Sequence, residues 1–279
     1  MPLNSVVFEA DPEKNASVVV TQSKQSRLLK HWRQDIRIKH SDIILLMCSF
    51  LSGLCDSGAF NAWSCFVCMQ TGNTIFLGLG AAGLPISKPY GWLRSLIAIL
   101  AFVVGCFVFS TSRNRNPRSR GTLATSFLVQ GSCLVVAAVL VQAKVVPDAV
   151  KDSESMMVLI PLVFLGFQAG GQVWTGEVLG FKEIPTTVLT SVYFGLASDV
   201  KFLQGLKMNL PRNRRLIAVA ALLIGAISGG WLSRSRGGIP SVFFVAAGLK
   251  FCISGIWMLW PADEKGQLVP RVTIDRPSH

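Results

Sequence analysis

Eight stretches of the chain approach the roughly 20 apolar residues that a helix needs to cross the hydrocarbon of a bilayer. They cover residues 43–60, 66–84, 93–111, 123–146, 156–174, 185–203, 216–232 and 242–260. Six run uninterrupted. The second is broken by Gln70-Thr71-Gly72-Asn73, and the sixth is diluted by Pro185-Thr186-Thr187 and Thr190-Ser191. Trp63, Trp92, Trp174, Trp231, Trp257 and Trp260 fall at or near the ends of these stretches, where an amphipathic indole sits at headgroup level. The pattern predicts an all-α, polytopic transmembrane bundle over residues 41–261. A basic, disordered cytoplasmic tail over 1–40 precedes it, and a polar tail over 262–279 follows.

The apolar body reads as two repeats, about 41–147 and 155–261. Arg94-Ser95-Leu96-Ile97-Ala98 returns as Arg214-Arg215-Leu216-Ile217-Ala218, and Ala101 and Gly105 are matched by Ala221 and Gly225. Thr71 falls opposite Thr190 and Cys133 opposite Cys252, while residues 51–59 align with 165–173 only across a short gap. Two topologies fit this division. Eight spans make the halves parallel; six spans plus two interrupted segments make them inverted. With the N-terminus inside, the six-span arrangement places ten loop basic residues inside against six outside. This is the better match to the inward bias of Lys and Arg, and it brings Arg113, Arg115, Arg118 and Arg120 to the inner face. The Gly166/Gly170 and Gly225/Gly229 pairs, each four apart, predict close approach of helix backbones.

Composition narrows the function classes. Charged residues make up 15% against the quarter usual in soluble domains, so the net charge of +12 lies in loops and tails rather than on a nucleic-acid face. Lys24, Arg27, Lys30, Arg33, Arg37 and Lys39 form a juxtamembrane cluster that favours anionic lipid. The seven cysteines lie in or beside apolar runs and read as small buried hydrophobes. Cys65 and Cys68 have the C-x-x-C spacing without a second pair or a histidine to complete a metal site. His31, His40 and His279 all lie outside the spans, and no nucleotide-binding or hydrolase signature is present. The expectation is a protein that is not an enzyme, with no catalytic residue, metal or cofactor.

Polar residues inside the apolar runs are the candidates for function, because a polar group facing hydrocarbon is costly and must find protein or water. Asp56 lies near the end of the first run. Thr71, Gly72 and Asn73 place a hydroxyl, a flexible backbone and an amide inside the second. The other half supplies Gln168 and Gln172, four apart and so on one helix face, with Thr186, Thr187 and Thr190. Glu177 and Asp199 lie nearby and are equally well read as loop residues. Interrupted segments in corresponding positions of two repeats are where secondary transporters bind an ion or small solute.

The run from Gly53 through Asp56 to Thr71-Gly72-Asn73 continues later as Phe167-Gln168-Ala169-Gly170-Gly171-Gln172 and Pro185-Thr186-Thr187-Val188-Leu189-Thr190. Together these resemble the YoaK-like family of polytopic membrane proteins, a domain-of-unknown-function family of bacteria and fungi, of which the chain reads as a fungal-type member. The likeness covers about residues 40–260. It implies a membrane domain and points to Asp56, Thr71, Gly72, Asn73, Gln172, Thr187 and Thr190, without implying a substrate. The chain departs from the family pattern at Ser191, where a glycine is usual, and at Val173, where an amide is usual. The expected function is a secondary transporter of a small solute or ion, with its site between the halves and ligands from Asp56, Thr71, Asn73 and Thr190. The alternative is a non-transporting scaffold or regulator in which the basic tail recruits a partner. The expected setting is a multi-pass position in the plasma membrane.

Overall fold

The computed structural model describes residues 24–86, 90–146 and 155–263, together with the backbone of 6–7 and 19–20. Among the described residues, six helices are long and apolar enough to cross a membrane. They are α2 (Asp42–Trp63), α4 (Gly91–Ser110), α5 (Arg120–Gln142), α6 (Leu159–Leu179), α8 (Leu210–Arg234) and α9 (Gly238–Leu259). Between them lie α3 (Gln70–Ala81) and α7 (Thr190–Ala197). At a rise of about 1.5 Å per residue these two reach about 18 and 12 Å, short of a hydrocarbon core of about 30 Å. The six-span arrangement with two interrupted segments is therefore the architecture. The interruptions precede the short helices: Gln70 to Asn73 form the first turn of α3, and the break lies over residues 64–69.

Backbone-to-backbone packing holds the bundle. In α2, a methyl on Gly53 would collide with Leu222 O of α8 and lie 2.8 Å from Ala226 N. In α6, a methyl on Gly170 would collide with Cys106 N of α4 and lie 2.7 Å from Phe102 O. The two sets are related by a displacement of 117 residues on one helix and 120 on the other. Gly105 and Gly225 obey the same relation, facing Phe167 O and Phe50 O. Packing thus matches α2 to α6 at 117, three more than the 114 by which 51–59 was laid on 165–173. The small residues of Gly166/Gly170 and Gly225/Gly229 serve contacts within the chain, α6 on α4 and α8 on α2.

The ends of the bundle are fixed by hydrogen bonds. Arg214, at the start of α8, pairs with Asp42 at 2.8 Å and with Glu183 at 2.9 Å, joining the start of α2 to the stretch after α6. At the other end Arg94 Nη1 donates to Trp63 O at 2.8 Å, joining the end of α2 to the start of α4. The two interrupted hairpins, α2–α3 and α6–α7, accordingly lie at opposite ends.

The part of the N-terminal tail next to the bundle, residues 24–40, is ordered. Helix α1 (Lys24–Arg33) lies against the start of α5, with the Trp32 indole against Gly121. Ile36 is 1% exposed, its N–H bonds to Arg118 O, and Arg37 N–H bonds to Pro261 O. The cause is specific: Arg120 reaches His31 Nδ1 at 2.8 Å, Gln34 Oε1 at 2.7 Å and Trp260 O at 2.7 Å, while His31 Nε2 bonds Met258 O at 2.9 Å. This gathers the N-terminal segment, the α4–α5 loop and the end of α9 at one face. Upstream, Val6–Val7 pairs antiparallel with Val19–Val20, and the rest of residues 1–23 lies outside the described residues, as does the C-terminal tail from 264.

Candidate functional site

The first hairpin is closed by two side chains. Asp56 lies seven residues before the end of α2, about 10 Å inward along the helix. Its Oδ1 accepts the N–H groups of Val67 (2.8 Å) and Cys68 (2.7 Å), and its Oδ2 that of Met69 (3.1 Å). The chain after α2 therefore turns back into the bundle, and the carboxylate faces the positive end of α3. Asn73 is fully buried and clamps Phe66, accepting its N–H at 3.1 Å and donating to its C=O at 2.7 Å, with a second bond to Gln70 Oε1 at 2.8 Å. Gly72 leaves room for the Phe66 ring, which a Cβ would meet at 2.8 Å.

A second polar cluster fills the centre of the bundle. Lys250, midway along α9, is fully buried. Its Nζ donates to Gln130 Oε1 of α5 at 2.7 Å and Gln172 Oε1 of α6 at 2.6 Å, and it lies 5.1 Å from the centroid of the Phe127 ring. Gln172 also donates to Cys48 O at 3.1 Å and Ser52 Oγ at 2.7 Å, both on α2. Among the described residues no carboxylate pairs with Lys250. Taking an ammonium out of water costs several kcal/mol, which two amide oxygens and a ring offset only in part.

The residues expected to form one cavity are thus divided. Asp56, Gly72 and Asn73 build the first hairpin, and Gln172 belongs to the central cluster. Gln168 is buried one turn away, donating to Leu165 O at 3.1 Å with its Oε1 unpartnered. Thr187 is buried in the second hairpin, its N–H 2.6 Å from Pro185 O, beside Thr186 with an unpartnered hydroxyl and a left-handed backbone (φ 56°). Thr71 and Thr190, expected as ligands, are exposed on the first turns of α3 and α7, because helix phase turns them away from the bundle. Glu177 and Asp199 lie at the end of α6 and after α7.

The sequence reading passed over Lys250 and Gln130. Their signal was present: Lys250 is the sole charged residue of α9, and an ionisable residue inside a span marks function by default. Cys65 and Cys68 are free thiols, and among the described residues no group of three or more His, Cys, Asp or Glu is placed to hold a metal ion.

A cavity lies at each of the two hairpins. One of about 520 Å³ lies at the first hairpin, bounded by Phe60, Ser64, Leu84 and Trp92. The other, of about 500 Å³, lies at the second hairpin, bounded by Val173, Lys182, Pro185 and Thr187. Six apolar spans, two interrupted hairpins entering from opposite ends and a polar centre define a multi-pass helical membrane protein. Within that class the chain belongs to the family described as "Protein of unknown function (DUF1275)", the YoaK-like family, whose model matches residues 44–256. No curated protein and no solved structure matches it.

Proposed function

We propose that the protein is a secondary carrier, not an enzyme, that moves a small solute across the membrane together with a proton. The observation that supports this most is Lys250: an amine at mid-membrane, held by amides from α5 and α6 without a paired carboxylate. Such a group serves as a loading point for a proton, since its ligands accept from the ammonium and impose no fixed counter-charge. The matched packing of the two halves and the cavities at opposite ends suit a carrier that exposes its centre to each side in turn. In this reading Asp56 and Asn73 hold the first hairpin in shape rather than ligating solute directly.

The test is reconstitution into liposomes with a trapped pH-sensitive dye and a panel of small solutes. Wild-type protein is expected to move protons with one solute class, and Lys250→Met, shown to be folded by thermal melting, to lose the coupled flux. Coupled transport unchanged in Lys250→Met removes the basis of the proposal. The scaffold reading draws on the docking of α1 at the basic end. Lys30→Gln with Arg33→Gln, which neutralises exposed charges of the basic segment and spares its packing through His31, Gln34 and Ile36, separates the two: a scaffold loses its partner, whereas a carrier keeps its flux.

A further inference from the structure

The basic end of the bundle holds a groove with a polar and an apolar limb. It lies between α1, the end of α4, the start of α5 and the end of α6, with a volume of about 280 Å³. The polar limb is formed by Ser112, Arg115 and the Trp174 indole. The apolar limb runs past Val108 and Val129, which are 44% and 39% exposed on the lipid-facing surface, so the groove opens toward hydrocarbon. The Trp32 indole of α1 forms a wall, seated on Gly121.

The guanidiniums at the mouth carry uncompensated charge. Arg113 stacks over Trp174 at 5.2 Å from the ring centroid, and Trp174 Nε1 donates to Ser112 Oγ at 2.9 Å, fixing the ring. Arg115 is exposed and bonds through its backbone alone, to Ser112 O and from Thr122 Oγ1, so among the described residues its guanidinium makes no hydrogen bond or ion pair. Arg118 spends only its Nε, on Val178 O at 2.9 Å. Asp35 and Glu177 line the adjoining cavity of about 490 Å³ with Arg113 and Arg118, without pairing to either. Cationic donors at one end of a slot and valines at the other match the two ends of a phospholipid. The positive-inside bias sets this end toward the leaflet where anionic lipids collect.

We infer that this groove binds an anionic glycerophospholipid, its phosphate at Arg113 and Arg115 and one acyl chain along Val108 and Val129. The site is in the folded domain, not in the tail where composition alone would put anionic lipid, and it stands independently of the carrier reading.

Full-length protein in nanodiscs, with phosphatidylserine or phosphatidylcholine brominated on the acyl chains, provides the test through tryptophan quenching. Trp32→Phe identifies the part of the signal that comes from the groove. Wild type is expected to prefer phosphatidylserine by about thirtyfold, as two surface arginines would give. Arg113→Gln with Arg115→Gln should abolish the preference, and Val129→Phe, which narrows the apolar limb without adding an indole and leaves the arginines, should abolish groove quenching. Lys30→Gln with Arg33→Gln on α1 should leave both unchanged. Equal quenching by the two lipids overturns the inference. So does a preference that follows the α1 variant instead of the loop variant, or one that inorganic phosphate removes by competition.

Discussion

The two interrupted hairpins occupy matching places and are held in opposite ways. In the first, a carboxylate inside the bundle gathers three N–H groups from Val67 to Met69, and Asn73 clasps both polar groups of Phe66. In the second, the displacement of 117 that matches α2 to α6 lays Val173 on Asp56, and no acid stands there. Its loop keeps an unpartnered Thr186 hydroxyl, borders a cavity at Val173 and is tied at its outer edge, where Glu183 and Asp42 share Arg214. One hairpin is fastened within the bundle, where the low dielectric strengthens its bonds; the other is fastened at the rim, where water competes. The second is therefore the softer element, the one expected to loosen first as the protein is warmed.

The largest expected effect comes from cutting the inner fastening. Asp56→Ala leaves three N–H groups without an acceptor and should cost about 4 kcal/mol, since bonds to a charged acceptor are worth about 1.5–3 kcal/mol each and are partly replaced on relaxation. In a chain of this size that is a fall of about 10 °C in melting temperature. Val173→Ala, at the matching place in α6, should cost about 1 kcal/mol or less, as a half-buried truncation does. Thermal unfolding in detergent reads both. Equal losses at the two positions would mean that Asp56 fastens nothing that Val173 does not.

A smaller contrast separates the two glutamines of α6. Gln172→Leu removes an acceptor of Lys250 and donors to Cys48 O and Ser52 Oγ, leaving the ammonium with Gln130 and the Phe127 ring. A loss of about 2–3 kcal/mol is expected. Gln168→Leu removes one bond within its own helix and a carbonyl that already lacks a partner, so stability should change by less than about 0.5 kcal/mol or rise. Denaturation of the two variants side by side in one detergent decides it. A costlier Gln168→Leu would relocate the centre of the polar cluster.

These contrasts also show what the sequence could and could not disclose. Runs of apolar residues fix the six spans because bilayer thickness sets their length, and an acid at 56 announces itself by its cost. Its partners do not, because Val67 to Met69 offer only backbone N–H groups, which every sequence carries, and they reach Asp56 only once the chain re-enters. Thr71 and Thr190 had the right depth and the wrong phase: the break falls before α3 and α7, so helix geometry rather than proximity to the interruption decides which side chains face inward. Lys250 was legible as a lone charge but hidden by the apolarity of its 22-residue helix. The tail at 24–40 looked unstructured because its order depends on Arg120, more than eighty residues away.

The mildest expected effect lies in the loop that returns the second hairpin to α8. Asp199 accepts from Asn209 Nδ2 at 2.9 Å and from the Lys201 N–H at 2.8 Å, and Asn209 in turn caps α8 at the Arg212 N–H, 3.0 Å away. The Asn209 bond first, and the Lys201 bond with it, hold the Asp199 carboxyl below its ordinary range. A carboxylate depressed in the folded state stabilises it above the unfolded value of about 3.9, and that contribution drains away as pH falls through the folded value. Asp199→Asn should therefore melt within a degree or two of wild type at neutral pH, because the group is exposed and screened. The wild-type advantage should shrink further as the pH drops below about 4. Melting curves taken across the acid range test this. A difference that stays constant with pH would show that the loop is held by its backbone alone, and that the softness of the second hairpin extends through residues 198–209 to the cap of α8.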